Sequence, residues 1–225
     1  MAKGSILMLL AILLTACREE LAPPEVELPL WQVKAGETWT YGVTASYPPG
    51  TRPRYLLGES LEETKRNVIV KYDLMWQCAE SIRDHVVIHH LRGGNLEKEE
   101  HLRVSASSVA LRAMRNVHPE KTVLKKLTDP VVLVREEMEA GDTWTYELGE
   151  GTFRRVRVSG IESVTTPVGT FSATKIMVDG RSGPLNAKET FWWDEQIGMV
   201  KIERLFLNDQ SFVKREILEL KSVKK

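Results

Sequence analysis

The residues of this 225-residue chain best suited to hold a metal are its histidines, three of which fall in one short stretch. Asp84-His-Val-Val-Ile-His-His90 carries His85, His89 and His90, and His101 follows. On a helix, His85 and His89 would share a face. The run Val86, Val87, Ile88 favours a strand instead. Positions four apart on a strand stand about 13 Å apart, too far to share one ion. His89 and His90 then point to opposite faces. What survives is a pairing of one of them with His101 across a hairpin, with no third ligand in view, so no metal is expected. Nucleophilic catalysis has little support. There is no Gly-x-Ser-x-Gly elbow, and Ser107-Ser108 has no evident base. Gly93-Gly94-Asn95 leads into no helix, so it is not a phosphate loop. The pairs Glu62-Glu63, Glu99-Glu100 and Glu136-Glu137 read as solvated charges at strand ends and turns. No catalytic residue and no cofactor is assigned. A hydrolase stays as a remote alternative, assembled from residues distant in sequence.

Cysteine chemistry is more specific. Lys3, the nine apolar residues Ile6 to Leu14 and the small Thr15-Ala16 lead to Cys17. Nine residues are too few to cross a bilayer as a helix, which takes about 20. The layout is that of a secretory signal. Leu14-Thr15-Ala16-Cys17 resembles a bacterial lipobox. That resemblance implies cleavage after Ala16, a diacylated Cys17 sulfur and a membrane partner reached through the lipid. Arg18, where an inner-membrane retention aspartate often stands, points to an outer membrane facing the periplasm if the host has one. An ordinary secretory signal with a chance cysteine, or an uncleaved anchor, are the competing readings. Residues 17–28 read as the lipidated cysteine and a flexible proline-bearing tether. The eleven residues 18–28 span at most roughly 35 Å when extended.

Removing residues 1–16 takes away Lys3 and no acid, so 31 Lys plus Arg become 30 against 31 Asp plus Glu, a net −1. A general nucleic-acid binder would be basic, so no nucleic acid is expected. If Cys17 carries lipid, Cys78 has no partner within the chain. It shares parity with Val68, Val70, Tyr72, Leu74 and Trp76 in an alternating strand, which makes it a small buried apolar residue.

The chain contains a duplication. Ala35, Gly36, Thr38, Trp39, Thr40 and Tyr41 recur 105 residues later as Ala140, Gly141, Thr143, Trp144, Thr145 and Tyr146, with Glu37 or Asp142 between. Each copy reads as a turn followed by a strand. Trp39 and Tyr41 face one side, as do Trp144 and Tyr146. Two readings are open: core aromatics, or a platform for a ligand or partner. Trp76, Trp192 and Trp193 join these four as the candidate ligand or partner surface, because adjacent strand residues 192 and 193 point to opposite faces.

Strands are predicted near 37–44, 65–78, 82–91, 98–105 and 108–115. In the second copy they fall near 152–166, 170–178, 188–193, 199–207 and 212–222. Gly93-Gly94-Asn95 is the clearest hairpin turn. Pro167 to Gly169 are read as a three-residue hairpin loop with a bulge, Gly169 being left-handed. A short helix is expected over 119–127, with proline at its start and lysines at its end. The fold class is all-β: two tandem antiparallel meanders, 29–117 and 131–225, joined by a connector at 118–130. They would form one curved sheet or two half-barrels. The basic run Arg154, Arg155 and Arg157 puts Arg155 and Arg157 on one face, solvent or anionic headgroups being its options.

Gly141, Trp144, Tyr146, Pro167, Gly169, Phe171, Ala173, Trp192, Gly198, Val200 and Lys201 together resemble a family of uncharacterised bacterial envelope domains. Such domains are broadly similar to the LolA/LolB type of open barrel. The resemblance covers most of 131–207 and only the opening turn and strand of the first copy. It implies a curved sheet with an apolar interior and brings no catalytic residues. The expected function is non-enzymatic binding of an apolar or lipid-like ligand in the cell envelope. The alternative is an assembly accessory that docks another envelope protein through exposed aromatics.

Overall fold

The computed structural model describes residues 29–54, 56–117, 122–148, 153–182, 184–208 and 211–225. The expected signal sequence, Cys17 and the expected tether lie outside them. The elements are β1 (Thr38–Tyr47), β2 (Ser60–Glu63), β3 (Val68–Ile82), β4 (His85–Arg92), β5 (Asn95–Val104), β6 (Ser108–Asn116) and β7 (Val123–Arg135). The second half contributes β8 (Thr143–Glu147), β9 (Phe153–Thr166), β10 (Gly169–Ser182), β11 (Leu185–Asp194), β12 (Gly198–Asn208) and β13 (Ser211–Lys224). All thirteen strands belong to one sheet, in the order β7-β6-β5-β4-β3-β1-β13-β12-β11-β10-β9-β8, with β2 off the path on β3. Every pairing is antiparallel. The first half thus runs outward from β1 and the second half returns to it. The two meanders are one continuous sheet, curled so that its end strands β7 and β8 come close without a ladder.

Two expectations are corrected. Among the described residues there is no helix, and 123–127, placed in the expected helix, open β7. Its β-branched and leucine residues gain more from pairing with β6 than an isolated helical turn would supply. The β9–β10 hairpin has a two-residue loop, Pro167-Val168, with Thr166 paired to Gly169. Gly169 has φ 149° and begins β10 rather than sitting in a left-handed bulge. The Gly93-Gly94 turn is as expected. Both glycines have positive φ, 56° and 79°, as a type I′ hairpin turn requires.

The duplicated turns are superposable in their hydrogen bonding. Gly36 N donates to Cys78 O and Gly141 N to Val158 O, at 2.8 and 2.9 Å. Cys78 N donates to Glu37 O and Val158 N to Asp142 O, both at 2.9 Å. Both glycines hold a left-handed backbone, φ 93° and 100°, which a side chain would strain. Cys78 therefore occupies the position where the second copy has a buried valine, and burial, with Glu37 nearby, pushes its thiol up to about 11. It is packing, not a nucleophile.

One face of the sheet carries the core. Along β1 the buried set is Trp39, Tyr41, Val43 and Ala45, and along β12 it is Val200 and Ile202. The segment before β1 closes one end. Leu30 N donates to Ser105 O at 2.8 Å, and Ser81 Oγ to Val33 O at 2.8 Å. Trp31 then sits 5.4 Å from Trp39 and 5.5 Å from Trp193, ring to ring. A side chain at Gly198 would meet the Trp31 ring at 3.0 Å, so glycine there makes room for the plug. The polypeptide enters the barrel at this plugged end.

Candidate functional site

At the opposite end the core face changes character. The rung that pairs Arg154, Gly180, Ala187, Phe206 and Lys214 across β9 to β13 crosses the mouth. Around it lies a pocket of about 540 Å³ lined by Tyr47, Pro48, Thr51, Leu185, Phe206, Phe212, Val213 and Lys214. Its walls are mainly apolar. They come together because Tyr47 and Phe206 continue the core parity of β1 and β12 past the last buried residue, and a bulge at Phe206/Leu207 bends β13 at the rim.

Between this apolar collar and the aliphatic core lies a charged layer. Glu189 pairs across the ladder with Arg204, and Arg204 with Glu216. Arg204 Nε donates to Glu189 Oε2 at 3.2 Å, and Arg154 Nη1 lies 3.1 Å from Glu189 Oε1. Glu216 accepts from Lys214 at 2.6 Å and from the Tyr72 hydroxyl at 3.4 Å. Burial would raise the Glu216 carboxyl, but Lys214 and Arg204 hold it below the usual carboxylate range. Burial opposes charge on Arg204 too, and Glu189, Glu216 and Glu100 outweigh it and raise its pKa. On the other wall, His90 lies 3.1 Å from Glu100 and 4.7 Å from the Trp76 ring. Burial lowers the His90 pKa despite that carboxylate. Glu100 is itself held well below the ordinary range: Lys98 and His90 outweigh its burial. Arg92 stacks on Tyr72 at 3.9 Å and donates to Glu59 at 2.6 and 2.7 Å, tying the β1–β3 connection to the mouth.

Six of the seven aromatics singled out in the sequence are packed on the core face, and Trp192 is buried on the other. Trp39, Tyr41, Trp76, Trp144, Trp192 and Trp193 are buried and Tyr146 is half-buried. Trp39 Nε1 donates to Ile197 O at 3.0 Å and the Tyr41 hydroxyl to Met199 O at 2.8 Å. Trp144 Nε1 donates to Val132 O at 2.9 Å. Trp192, which alternation sends to the other face from Trp193, is covered by Lys175 and Lys201 and donates to Glu162. Packed in this way, the six tryptophan and tyrosine side chains that are buried present no exposed aromatic surface, and Tyr146 is half-exposed. The histidines also sort differently from a metal site. His89 and His101 do not meet but share the Glu99 carboxylate, at 3.2 and 2.8 Å. Among the described residues no three His, Cys, Asp or Glu side chains gather where they could hold a metal.

Sequence reading missed the charged layer. Glu99-Glu100, read as solvated, is a buried anchor and an interior acid. Of the arginine run, Arg155 and Arg157 are exposed as expected, but Arg154 is only 6% exposed. A signal was present. Arg154, Arg204 and Glu216 each stand at the core parity of an alternating strand, next to Val156, Ile202 and Leu218 respectively.

No family model matches the chain, and no curated protein matches it. Among solved structures, a Bacteroides fragilis protein described as having a YmcC-like fold aligns with 14% identity and a TM-score of 0.47, covering 87% of this chain and 98% of that one. A likeness this distant says nothing of function.

Proposed function

We propose that the chain is a lipid-anchored envelope protein whose barrel is a non-enzymatic binding module for an apolar, lipid-like ligand entering at the open mouth. The observation that carries this reading is the apolar collar of about 540 Å³ at the end of the barrel away from the Trp31 plug. Phe206, Phe212 and Leu185 line it half-exposed, where folding alone would favour polar residues at a strand end. The polarity of the chain suits the reading. An acylated Cys17 would hold the plugged end towards the bilayer through the tether and leave the mouth facing away. Two or more acyl chains are enough for stable anchoring. His90 and Glu100 form the histidine–carboxylate contact that a hydrolase would need. Their neighbours are Trp76 and Lys98, and among the described residues no serine or cysteine is bonded to them.

The test uses residues 18–225 without the lipid and a neutral ligand. Dodecanol should displace N-phenyl-1-naphthylamine saturably from one site, and Phe206→Glu should weaken it at least tenfold with the melting temperature little changed. Absence of saturable displacement from the wild-type chain would remove the lipid-binding reading.

A further inference from the structure

One member of the charged layer is incompletely satisfied. Four cations, Lys98, Arg154, Arg204 and Lys214, face three carboxylates, Glu100, Glu189 and Glu216, while burial keeps His90 towards its neutral form. Arg92, with Glu59 and Glu97, adjoins them through Tyr72 and brings the cluster to five cations and five carboxylates. Within it Arg154 is the least compensated. Its side chain is 6% exposed, and neither Nε nor Nη1 makes a hydrogen bond. Nη1 is within ion-pair distance of Glu189, but the approach is too bent for a hydrogen bond, and Glu189 also serves Arg204.

A Cβ on Gly180 would lie 2.2 Å from Phe153 O and 2.6 Å from Arg154 Cδ, so the β9 backbone and the arginine stem both lie close across that glycine. Ala187 follows on the same rung, and Phe206 of the apolar collar follows it. The arginine stem thus crosses Gly180 with two buried guanidinium donors unmade, and the same rung runs on through Ala187 to Phe206, which lines the collar. Buried donors are costly when unpaired, and a carboxylate can take two arginine N–H groups at once.

We infer that the charged layer is a headgroup site and that the molecule bound is a long-chain carboxylate, its chain in the collar and its carboxylate on Arg154. This rests on the lipid-binding reading above and adds the charge of the ligand. A carboxylate fits the two unmade Arg154 donors. A cationic amphiphile would meet an arginine, and a neutral one would leave the Arg154 donors unmade.

The experiment compares four ligands by calorimetry on residues 18–225: dodecanoate, dodecanol, dodecylammonium and acetate. Dodecanoate should bind at least tenfold more tightly than dodecanol, with dodecylammonium weaker than both and acetate undetectable. Arg154→Met should abolish the preference for dodecanoate while leaving dodecanol affinity within twofold, and Arg154→Lys should restore part of it. If dodecanoate and dodecanol bind the wild-type chain equally, the headgroup assignment is wrong and the lipid-binding reading stands. Binding of neither long chain sinks the lipid-binding reading itself. Acetate binding as tightly as dodecanoate would make this a small-anion site and overturn the amphiphile. Should Arg154→Met fail to fold, the ligand series on the wild-type chain decides alone.

Discussion

The barrel has two places where its halves meet, and they are built from the same duplicated segment. At β1/β13, the first copy's Thr-Trp-Thr-Tyr strand is zipped into a ladder running from Thr38–Lys224 to Ser46–Arg215. At β7/β8, the second copy's strand forms no ladder with its neighbour. The Trp144 indole bonds to Val132 O instead, and Arg135 stacks on the Trp144 ring at 4.6 Å. The equivalent tyrosines diverge accordingly. Tyr41 is 1% exposed and bonded to Met199 O, whereas Tyr146 is half-buried and makes no hydrogen bond among the described residues. The cause lies in β7. Its pairing with β6 jumps from Val131 to Lys126 opposite Leu111 and Ala113, so Leu127 to Pro130 bulge out of the ladder. Asp129-Pro130 lacks the proline N–H, and the bulged edge cannot present a continuous row of donors to β8. A cleft of about 540 Å³ between residues 125–131 and 145–148 results. The same local sequence gives a closed seam or an open one according to its neighbour.

Three measurements probe this contrast. The largest effect should come from the tryptophans. Trp39→Ala, which empties the plug and orphans Ile197 O, should cost about 3–5 kcal/mol in urea unfolding. Trp144→Ala should cost about half that, because a strand bonded on one side can fray and relax around the cavity. Equal costs would mean that the open seam is as rigid as the closed one.

Next come the tyrosine hydroxyls. Tyr41→Phe leaves the buried Met199 carbonyl without its donor and should cost about 1–3 kcal/mol. Tyr146→Phe should change stability by less than about 0.5 kcal/mol. A large loss from Tyr146→Phe would reveal a bond across the seam and break the comparison.

The smallest effect is a titration. Burial, and then Glu189, pushes the Tyr146 hydroxyl up to about 12, and burial pushes Tyr41 further still. Both are held protonated by the fold, so the stability they contribute is complete below the unfolded value of about 10 and is lost as pH rises through the folded values. Absorbance at 295 nm should show a tyrosine ionising near 12 that Tyr146→Phe removes. Tyr41→Phe should remove nothing below the unfolding pH. A Tyr41 that ionises before Tyr146 would reverse the assignment of closed and open seams.

Much of the architecture is written in local sequence. Alternation located ten strands to within a few residues, Gly93-Gly94 specified its turn, and the repeated Ala-Gly-acid-Thr-Trp-Thr-Tyr produced the same glycine conformation and the same hydrogen bonds twice. These features depend on neighbours within a few residues, and periodicity reports them directly. The expected helix at 119–127 failed where it overlaps β7, because pairing with β6 is a non-local gain that outweighs a weak helical preference. The charged layer was half visible, as single charges at core parity, but such a residue is solvated at a strand end and buried in a curled sheet. Only the tertiary structure brought Arg154, Glu189, Arg204 and Glu216 together, since β9, β11, β12 and β13 become neighbours by sheet order and by β9 approaching β12 and β13. The sequence alone determined most of the strands, the Gly93-Gly94 turn and the identity of the two copies. The fold alone decided that one copy would seal the barrel and the other leave it open, because each seam depends on a partner strand distant in sequence.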